Sequence, residues 1–240
     1  MKDKTGPLYY RIKEDIKDKI DKNEYRKGQM MPTEKELCQE YGVCRVTVRK
    51  ALEELITEGV LERGFGKSAT VSFDKVPRSV NKLSGLFEEL EKDGIKCSSF
   101  ILSQEKIRGD AELQRVMRLV DGNNAVRIER LRYANGVPLC YQIIYLNDEL
   151  CGGVRLSNGE YSLYGMLEKE FGVKLVYAEQ TIRAVMSDHR MSALLELPEP
   201  SCMLLVTRKA YNESKICVEY SKTYYVSGRY EMNMTLKSED

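Results

Sequence analysis

Residues 31–71 constrain the fold more than any other stretch, because they combine helical patterns, a glycine break and a β-prone end. Thr33 is followed three residues later by Glu36, which is the pattern of a capping box at a helix start. We expect that helix to cover residues 34–41, and we expect Gly42 to end it. The stretch should therefore begin with a short helix and a tight turn.

A second helix is predicted directly after the turn, beginning near Cys44. Apolar residues recur in it at i, i+4, i+7 and i+8, which gives the helix one apolar face. They are Val48, Leu52, Leu55 and Ile56. Residues 8–20 repeat an apolar side chain every four positions and predict an earlier helix. Residues 60–71 have two short β-prone ends around a cationic turn with glycines, which predicts a hairpin.

The polar side of the second predicted helix carries cations near its amino-terminal end. Arg45 and Arg49 are four apart and project from one face, with Thr47 and Lys50 beside them. Arginine can pair bidentately with guanine, while threonine and lysine suit phosphate or thymine-methyl contacts. The alternative is that these charges form only the solvated face of an amphipathic helix. The order of capping box, turn, apolar stripe and hairpin favours a DNA-binding winged helix-turn-helix.

This stretch closely resembles the DNA-binding domain of the GntR superfamily of bacterial transcription regulators. The positions that match its motif are Pro32, Thr33, Glu34, Leu37, Tyr41, Gly42, Val43, Arg45, Thr47, Val48, Arg49, Ala51, Leu52, Leu55, Glu58 and Gly59. By this resemblance, the residues expected to contact DNA are Thr33, Glu34, Arg45, Thr47, Arg49, Arg63 and Lys67. One departure is Cys44, which stands where relatives usually have serine at the recognition-helix start.

Length and composition fit two ordinary domains, since the chain has 240 residues and 42% of them are hydrophobic. No window approaches the roughly 18 consecutive apolar residues of a membrane helix, and no signal peptide is visible, so we expect a cytoplasmic protein without membrane contact. Seven cysteines without a C-x-x-C pair predict neither a disulfide framework nor a metal site. The first 75 residues carry 16 Lys+Arg against 14 Asp+Glu, so DNA affinity has to come from local clusters in a homodimer.

The chain is predicted to have two domains, residues 1–71 and 83–240, joined by a linker at 72–82 that contains Pro77 and little periodicity. Asn135-Gly136 between two alternating segments is a strong hairpin signal in the second domain. Helices are predicted over residues 85–93, 111–117, 163–171 and 188–195, and strands over 99–107, on both sides of the hairpin turn, over 180–186 and within 203–226. This pattern predicts an α+β fold with a mainly antiparallel sheet.

Two arginines stand out in the second domain, because Arg130 and Arg132 continue a strand face that begins with apolar residues. A half-buried cation needs an anion, and Glu219 and Tyr225 lie on a polar face of the last hairpin that suits a lined cavity. Ser84 and Ser162 each precede a predicted helix start, where phosphate binds favourably. The alternative is that arginine and glutamate on neighbouring strands form ordinary surface salt bridges.

The second domain resembles the effector-binding (UTRA) domain of the HutC subfamily, which has a chorismate-lyase-like fold. The matching segments are 130–138, 145–146, 162–164 and 218–220, with Tyr225 and residues 229–230. In relatives that sense amino-sugar phosphates, the matching ligands for the acidic group would be Arg130, Arg132, Ser84, Ser162 and Tyr164, with Glu219 and Tyr225 at the sugar end. Gln142 stands where many members have glutamate, which weakens the case for an amine-bearing ligand and leaves the effector open.

Together these features predict a homodimeric transcription regulator, a repressor, that binds palindromic double-stranded operator DNA. A small anionic metabolite such as a sugar phosphate would release the protein from DNA by changing the relative placement of the two DNA-binding domains of the dimer. The alternatives left open are an amino acid or other carboxylate as effector, and an activator instead of a repressor. No cofactor is expected.

Two other classes of protein are disfavoured. An enzyme would need catalytic groups, but His189 is the only histidine and no catalytic triad or metal cluster is visible. A sequence-nonspecific architectural DNA protein would be strongly basic, whereas the net charge here is +1.

Overall fold

The computed structural model describes residues 7–63, 68–72, 76–79, 83–119 and 124–234. The chain divides into two compact units. One consists of residues 1–74 with the short segment 196–201, and the other of residues 75–195 and 202–240.

The amino-terminal unit has three helices followed by a hairpin, as the sequence predicted. The helices are α1 (Leu8–Asp21), α2 (Glu34–Tyr41) and α3 (Arg45–Thr57), and the antiparallel strands are β1 (Leu61–Arg63) and β2 (Ala69–Val71). Residues 64–67, between the two strands, lie outside the described residues, and so does the predicted DNA contact of Lys67.

The predicted local signals form in this unit. The Thr33 side chain accepts the backbone N–H of Glu36, and the Glu36 carboxylate accepts the N–H of Thr33 at 2.7 Å, which completes the capping box. Gly42 ends α2 with a φ of 64°, a left-handed conformation that glycine adopts without steric cost. The core beneath the helices includes Ile12, Ile16, Leu37, Val48, Ala51 and Leu55.

The second unit is built on a six-stranded antiparallel sheet in the order β4-β5-β6-β9-β8-β7. The strands are β4 (Cys97–Arg108), β5 (Asn124–Ala134), β6 (Val137–Asn147), β7 (Leu175–Met186), β8 (Cys202–Asn212) and β9 (Cys217–Val226). The predicted Asn135–Gly136 turn joins β5 to β6, and both of its residues have positive φ. The helices are α4 (Leu86–Lys92), α5 (Ala111–Met117), α6 (Asp148–Cys151), α7 (Leu163–Phe171) and α8 (His189–Leu194).

Three features of this unit were missed or misplaced by the sequence-based interpretation. Strand β3 (Val76–Ser79) lies within the predicted linker and pairs in parallel with β10 (Tyr230–Asn233). Strand β3 has only four residues, and its partner lies about 150 residues away in sequence, so no local pattern indicates the pairing. Helix α6 was not predicted, and β7 begins at Leu175 instead of near residue 180.

Side chains on one side of the sheet, which we call the pocket face, include Arg130, Gln142, Thr223 and Arg208. The register shows this, because Arg130 lies opposite Gln142, and Gln142 lies opposite Thr223 on β9. An apolar cluster that includes residues of α6 and α7 adjoins these polar side chains. It contains Val126, Ile128, Ile144, Leu146, Cys151, Val154, Leu163, Leu167, Val173 and Val218.

Candidate functional site

The exposed side of α3 presents two arginines in a fixed arrangement. The Arg45 and Arg49 side chains are 63% and 58% exposed, and both contact Glu34 at the start of α2. Arg45 Nε lies 3.1 Å from Glu34 Oε2, and Arg49 Nε lies 3.1 Å from Oε1. The Glu34 carboxylate binds both guanidinium groups and thereby holds them side by side, and its own contact with DNA stays a prediction.

The other residues predicted to contact DNA have local roles as well. Thr33 caps α2, and the Thr47 hydroxyl lies 3.2 Å from the Cys44 sulfur. The Lys50 ammonium lies 4.0 Å from the centre of the Tyr9 ring. Cys44 makes no side-chain capping bond to α3, as expected for a thiol at a position that favours serine.

Two further positions of this unit are exposed, one cationic and one apolar. Arg63 is exposed at the end of β1. Val46 is 78% exposed between Arg45 and Thr47, and the sequence-based interpretation did not select it. An apolar side chain beside two arginines can contact a thymine methyl group. The position of Val46 at the start of the helix could therefore have marked it as a candidate DNA contact in the sequence.

The second unit contains a polar pocket on the pocket face of the sheet. Strands β5, β6, β8 and β9 form its floor, and the first residues of α4 and α7 form its walls. It brings together six of the predicted ligands, which are Arg130, Arg132, Gln142, Tyr164, Glu219 and Tyr225. Other lining residues, which were not among the predicted ligands, are Gly85, Leu86, Phe87, Glu88, Leu163, Val206, Arg208, Ser221 and Thr223; of these, Ser221 and Thr223 share the predicted polar face of the last hairpin.

The two predicted arginines are buried in the pocket and form no ion pair with any described residue. Arg130 is 3% exposed and Arg132 is 2% exposed. Arg130 Nε donates to Gln142 Oε1 at 2.8 Å, and Arg132 Nη2 donates to the Cys97 sulfur at 2.8 Å. Among the described residues neither arginine has an ion pair, and Arg130 Nη1 and Arg132 Nε have no hydrogen-bond partner. Burial and the neighbouring Arg132 lower the pKa of Arg130.

Gln142 connects the arginine side of the pocket to β9. Its carbonyl oxygen accepts from Arg130, and its Nε2 donates to Thr223 Oγ1 at 2.9 Å. Glutamate at this position would place a carboxylate on Arg130. The neutral amide keeps the hydrogen bond but does not compensate the positive charge of Arg130.

A second group of polar side chains surrounds Glu219. The Tyr164 hydroxyl donates to Glu219 Oε2 at 2.6 Å and accepts from Arg208 Nη1 at 3.0 Å. Arg208 is held in turn by Gln180 on β7, whose Oε1 accepts from its Nε at 3.1 Å and its Nη2 at 3.0 Å. Burial and the Glu219 carboxylate raise the pKa of Tyr164. The pocket thus has a cationic group of residues on β5 and a hydrogen-bonded carboxylate on β9.

The two predicted serine ligands lie next to the pocket but are not among its lining residues. Ser162 caps α7, because its hydroxyl oxygen accepts from the Gly165 N–H at 2.8 Å, and the same hydroxyl donates to the Glu88 carboxylate. Ser84 donates to the Glu89 carboxylate. In this structure both hydroxyl groups bind side chains of α4.

The described residues include no helix that combines the length and apolar character needed to span a bilayer. The same part of the chain contains no group of three or more histidine, cysteine or acidic side chains arranged to hold a metal ion.

Each of the two units matches a known protein family. Residues 8–71 match the family model described as bacterial regulatory proteins, gntR family, and residues 92–231 match the UTRA domain. The chain is 26% identical over 224 residues to the HTH-type transcriptional repressor NagR of Bacillus subtilis (strain 168), covering 93% of this chain and 92% of NagR. It is 27% identical over 228 residues to the mannosyl-D-glycerate transport/metabolism system repressor MngR of Escherichia coli (strain K12), covering 95% of each chain.

The crystal structure of PhnF from Mycobacterium smegmatis has the same fold, with a TM-score of 0.66 at 22% identity over 97% of this chain and 100% of PhnF. These relatives are transcriptional regulators and not enzymes, which agrees with the expectation from sequence. The chain belongs to the GntR family of bacterial regulatory proteins, in the HutC subfamily that joins a helix-turn-helix domain to a UTRA domain.

Proposed function

We propose that this chain is a homodimeric repressor whose binding to a palindromic operator is released by a small anionic metabolite in the UTRA pocket. One observation carries the effector part of the proposal. Two adjacent guanidinium groups, Arg130 and Arg132, are buried with no ion pair among the described residues.

Burial of a charge is unfavourable unless the charge is paired. The buried Lys13 of the other unit follows this rule, because its ammonium lies 3.0 Å from Glu54 and 2.8 Å from Glu58. Arg130 and Arg132 have no such partner within the part of the chain that the structure describes, and Gln142 supplies a neutral amide where a carboxylate would fit. A phosphate or carboxylate group of a ligand would provide the missing charge.

The rest of the pocket favours a polar ligand with hydroxyl groups. Glu219 and Thr223 offer hydrogen-bonding atoms on β9, and Tyr164 and Arg208 extend the polar lining. MngR is named after mannosyl-D-glycerate, a sugar acid, which is one example of the proposed ligand class. A sugar phosphate or a sugar acid combines the required anionic group with hydroxyl groups.

Arg45 and Arg49 form the base-reading surface in this proposal, with Glu34 fixing their orientation. One recognition helix reads only a few base pairs, so two copies on half-sites about 34 Å apart, or a multiple of that distance, would supply the specificity. The protein would act in the cytoplasm, where its operator lies.

The effector class can be tested by thermal shift with matched pairs of probes. Glucose 6-phosphate would be compared with glucose, and glycerate with glycerol. At about 100 times its dissociation constant, a bound anion adds about 2.7 kcal/mol of stability, or roughly 5–10 °C in melting temperature. Arg130→Gln and Arg132→Gln should lose the shift, whereas Arg108→Gln, at an exposed position on β4, should keep it.

Equal shifts with the neutral and anionic probes, or full shifts in both pocket variants, would refute the proposal. The phosphate and carboxylate pairs also separate the two anion classes.

Repression is tested with a reporter under an operator selected from random duplexes. The active anion should raise expression, and a fall would instead indicate an activator.

A further inference from the structure

A group of buried polar atoms lies on the β4 side of the two pocket arginines. Among the described residues, eight buried side-chain nitrogen or oxygen atoms have no hydrogen-bond partner, and four of them belong to this group. They are Ser99 Oγ, Arg130 Nη1, Arg132 Nε and Tyr161 Oη. Buried polar atoms without a partner are rare in folded proteins, and a bound ion or water molecule is a common reason for them. Four such atoms in one place indicate a binding site.

The register of β4 and β5 brings the serine to the arginines. Ser99 lies directly opposite Arg132, and Ile101 lies opposite Arg130. Directly paired residues of an antiparallel sheet point to the same face, with Cβ atoms about 4.5–5.5 Å apart. The Ser99 hydroxyl therefore lies on the pocket face beside the Arg132 side chain. Ser99 is 5% exposed and is thus as closed to solvent as the arginines.

The chain segment that precedes α7 covers this part of β4. Ser99 exchanges backbone hydrogen bonds of 2.8 and 3.0 Å with Gly159, and Tyr161 follows two residues later. Burial and the neighbouring Arg132 lower the pKa of Arg130, whereas an interaction with Tyr161 raises it. The segment therefore brings a tyrosine hydroxyl to the arginine pair from the side opposite β6.

This group is separate from the open part of the effector pocket. Ser99 and Tyr161 are not among the residues that line the pocket. Arg130 Nε donates to Gln142 on β6, but Arg130 Nη1 and Arg132 Nε are buried atoms. A solute in the open part of the pocket does not contact a buried atom. These two nitrogen atoms are therefore available to a different ligand.

The four atoms share one chemistry, because all of them can donate a hydrogen bond. Guanidinium nitrogens only donate, and serine and tyrosine hydroxyls donate as well as accept. A water molecule can satisfy some of these donors, but it does not neutralise a buried charge. An unpaired buried charge is unfavourable, and hydrogen bonds between a charged donor and an anion are stronger than bonds between neutral groups. The arrangement therefore favours an anion over water.

We infer a second anion site, for a small inorganic anion such as chloride, that is formed by Ser99, Arg130, Arg132 and Tyr161. An ion of one atom accepts hydrogen bonds from any direction, which suits donors on two strands and a covering segment. An organic acid would have to bring its carbon skeleton into a place that is closed to solvent. The two guanidinium groups carry two positive charges, so one chloride ion leaves the other charge for the effector proposed above.

Melting of the full chain tests the site. Potassium chloride would replace potassium glutamate at constant ionic strength, in the absence of effector. At about 10 times its dissociation constant, chloride should raise the wild-type melting temperature by about 3–6 °C, and the rise should saturate. Ser99→Ala and Tyr161→Phe each remove one donor and leave both arginines in place. Each variant should need roughly 10- to 100-fold more chloride for the same rise.

Two matched variants serve as controls, and both should keep the wild-type response to chloride. Ser98→Ala changes the neighbouring residue of β4, which points to the other face of the sheet, and Tyr177→Phe changes a tyrosine that is 39% exposed on β7. Crystals grown in bromide give a second measurement. They should show an anomalous-scattering peak beside Ser99 Oγ and Arg132 Nε.

The effector probes separate this site from the pocket. Ser99→Ala and Tyr161→Phe should still be stabilised by whichever of glucose 6-phosphate and glycerate stabilises the wild type. A wild type without a saturable response to chloride, or an equal response in the two hydroxyl variants, would overturn the chloride site. Loss of the effector response together with the chloride response would also overturn it, since the hydroxyls would then belong to the effector pocket. None of these outcomes bears on operator binding.

Discussion

Replacing Gln142 by glutamate should stabilise the free protein and weaken its effector binding at the same time. The change is isosteric and places a carboxylate on Arg130, whose Nε lies 2.8 Å from the present amide oxygen. The hydroxyl of Thr223, which now accepts from Gln142, can turn and donate to the carboxylate. No hydrogen bond therefore has to be lost.

The magnitude follows from the change in charge. A hydrogen bond to a charged group contributes about 1.5–3 kcal/mol, against about 0.5–1.5 kcal/mol for a neutral one, so the expected gain is about 1–1.5 kcal/mol. For a domain of this size that is a rise of about 2–6 °C in melting temperature. In the Gln142→Glu variant the new carboxylate neutralises Arg130, so an anionic ligand is attracted by one cation fewer. If this removes about 2 kcal/mol of attraction, the affinity for the ligand falls about 30-fold.

The assay is differential scanning calorimetry of the free variant, followed by titration calorimetry with the anion that stabilises the wild type. Gln39→Glu adds the same charge at an exposed position on α2 and should change neither quantity. A lower melting temperature for Gln142→Glu together with unchanged anion affinity would contradict the reasoning. It would mean that Arg130 is not an uncompensated charge in solution.

Three further substitutions test other parts of the molecule. Arg45→Ala should weaken binding to a selected operator about 10- to 100-fold in gel shifts, because a bidentate base contact contributes about 1–3 kcal/mol, while binding to a scrambled duplex should change much less. Cys44→Ser supplies the capping hydroxyl that α3 lacks and should stabilise the amino-terminal unit by about 0.5–1 kcal/mol in urea unfolding; an unchanged midpoint would count against a missing cap. Burial raises the pKa of Glu129, but hydrogen bonds from tyrosine and arginine side chains lower it overall. The ionised Glu129 therefore contributes stability that is present above its unfolded-state pKa and lost as pH falls through its folded-state pKa. Between about pH 5 and pH 3, the Glu129→Gln variant should lose less stability than the wild type.

The amino-terminal unit was predictable because its signals are local. The capping box, the glycine turn and the apolar stripe of α3 each act over a few residues, and the structure contains all three. The side chains around the helices were not predictable in the same way. Glu34 binds both Arg45 and Arg49 only because α2 and α3 pack together.

The pocket was predictable strand by strand. Alternation along β5 and β9 placed Arg130, Arg132, Glu219 and Tyr225 on their faces, and these residues do line one pocket. Arg208 was missed, although it alternates with Val206 on β8, because its importance depends on β8 lying beside β9. Local sequence does not reveal the order of strands in a sheet.

The sequence alone determined the helix-turn-helix, the hairpin at residues 135–136, the place of Ser162 before the start of α7 and the faces of the main strands. These features depend on backbone propensity and side-chain period, which act over short distances along the chain. Tertiary structure decided that Arg130 and Arg132 have no ion pair among the described residues, that the Ser162 hydroxyl binds Glu88 and that residues 76–79 form a strand. Each of these depends on which distant segments pack together, because the partners of a side chain or a strand come from parts of the chain that are far apart in sequence.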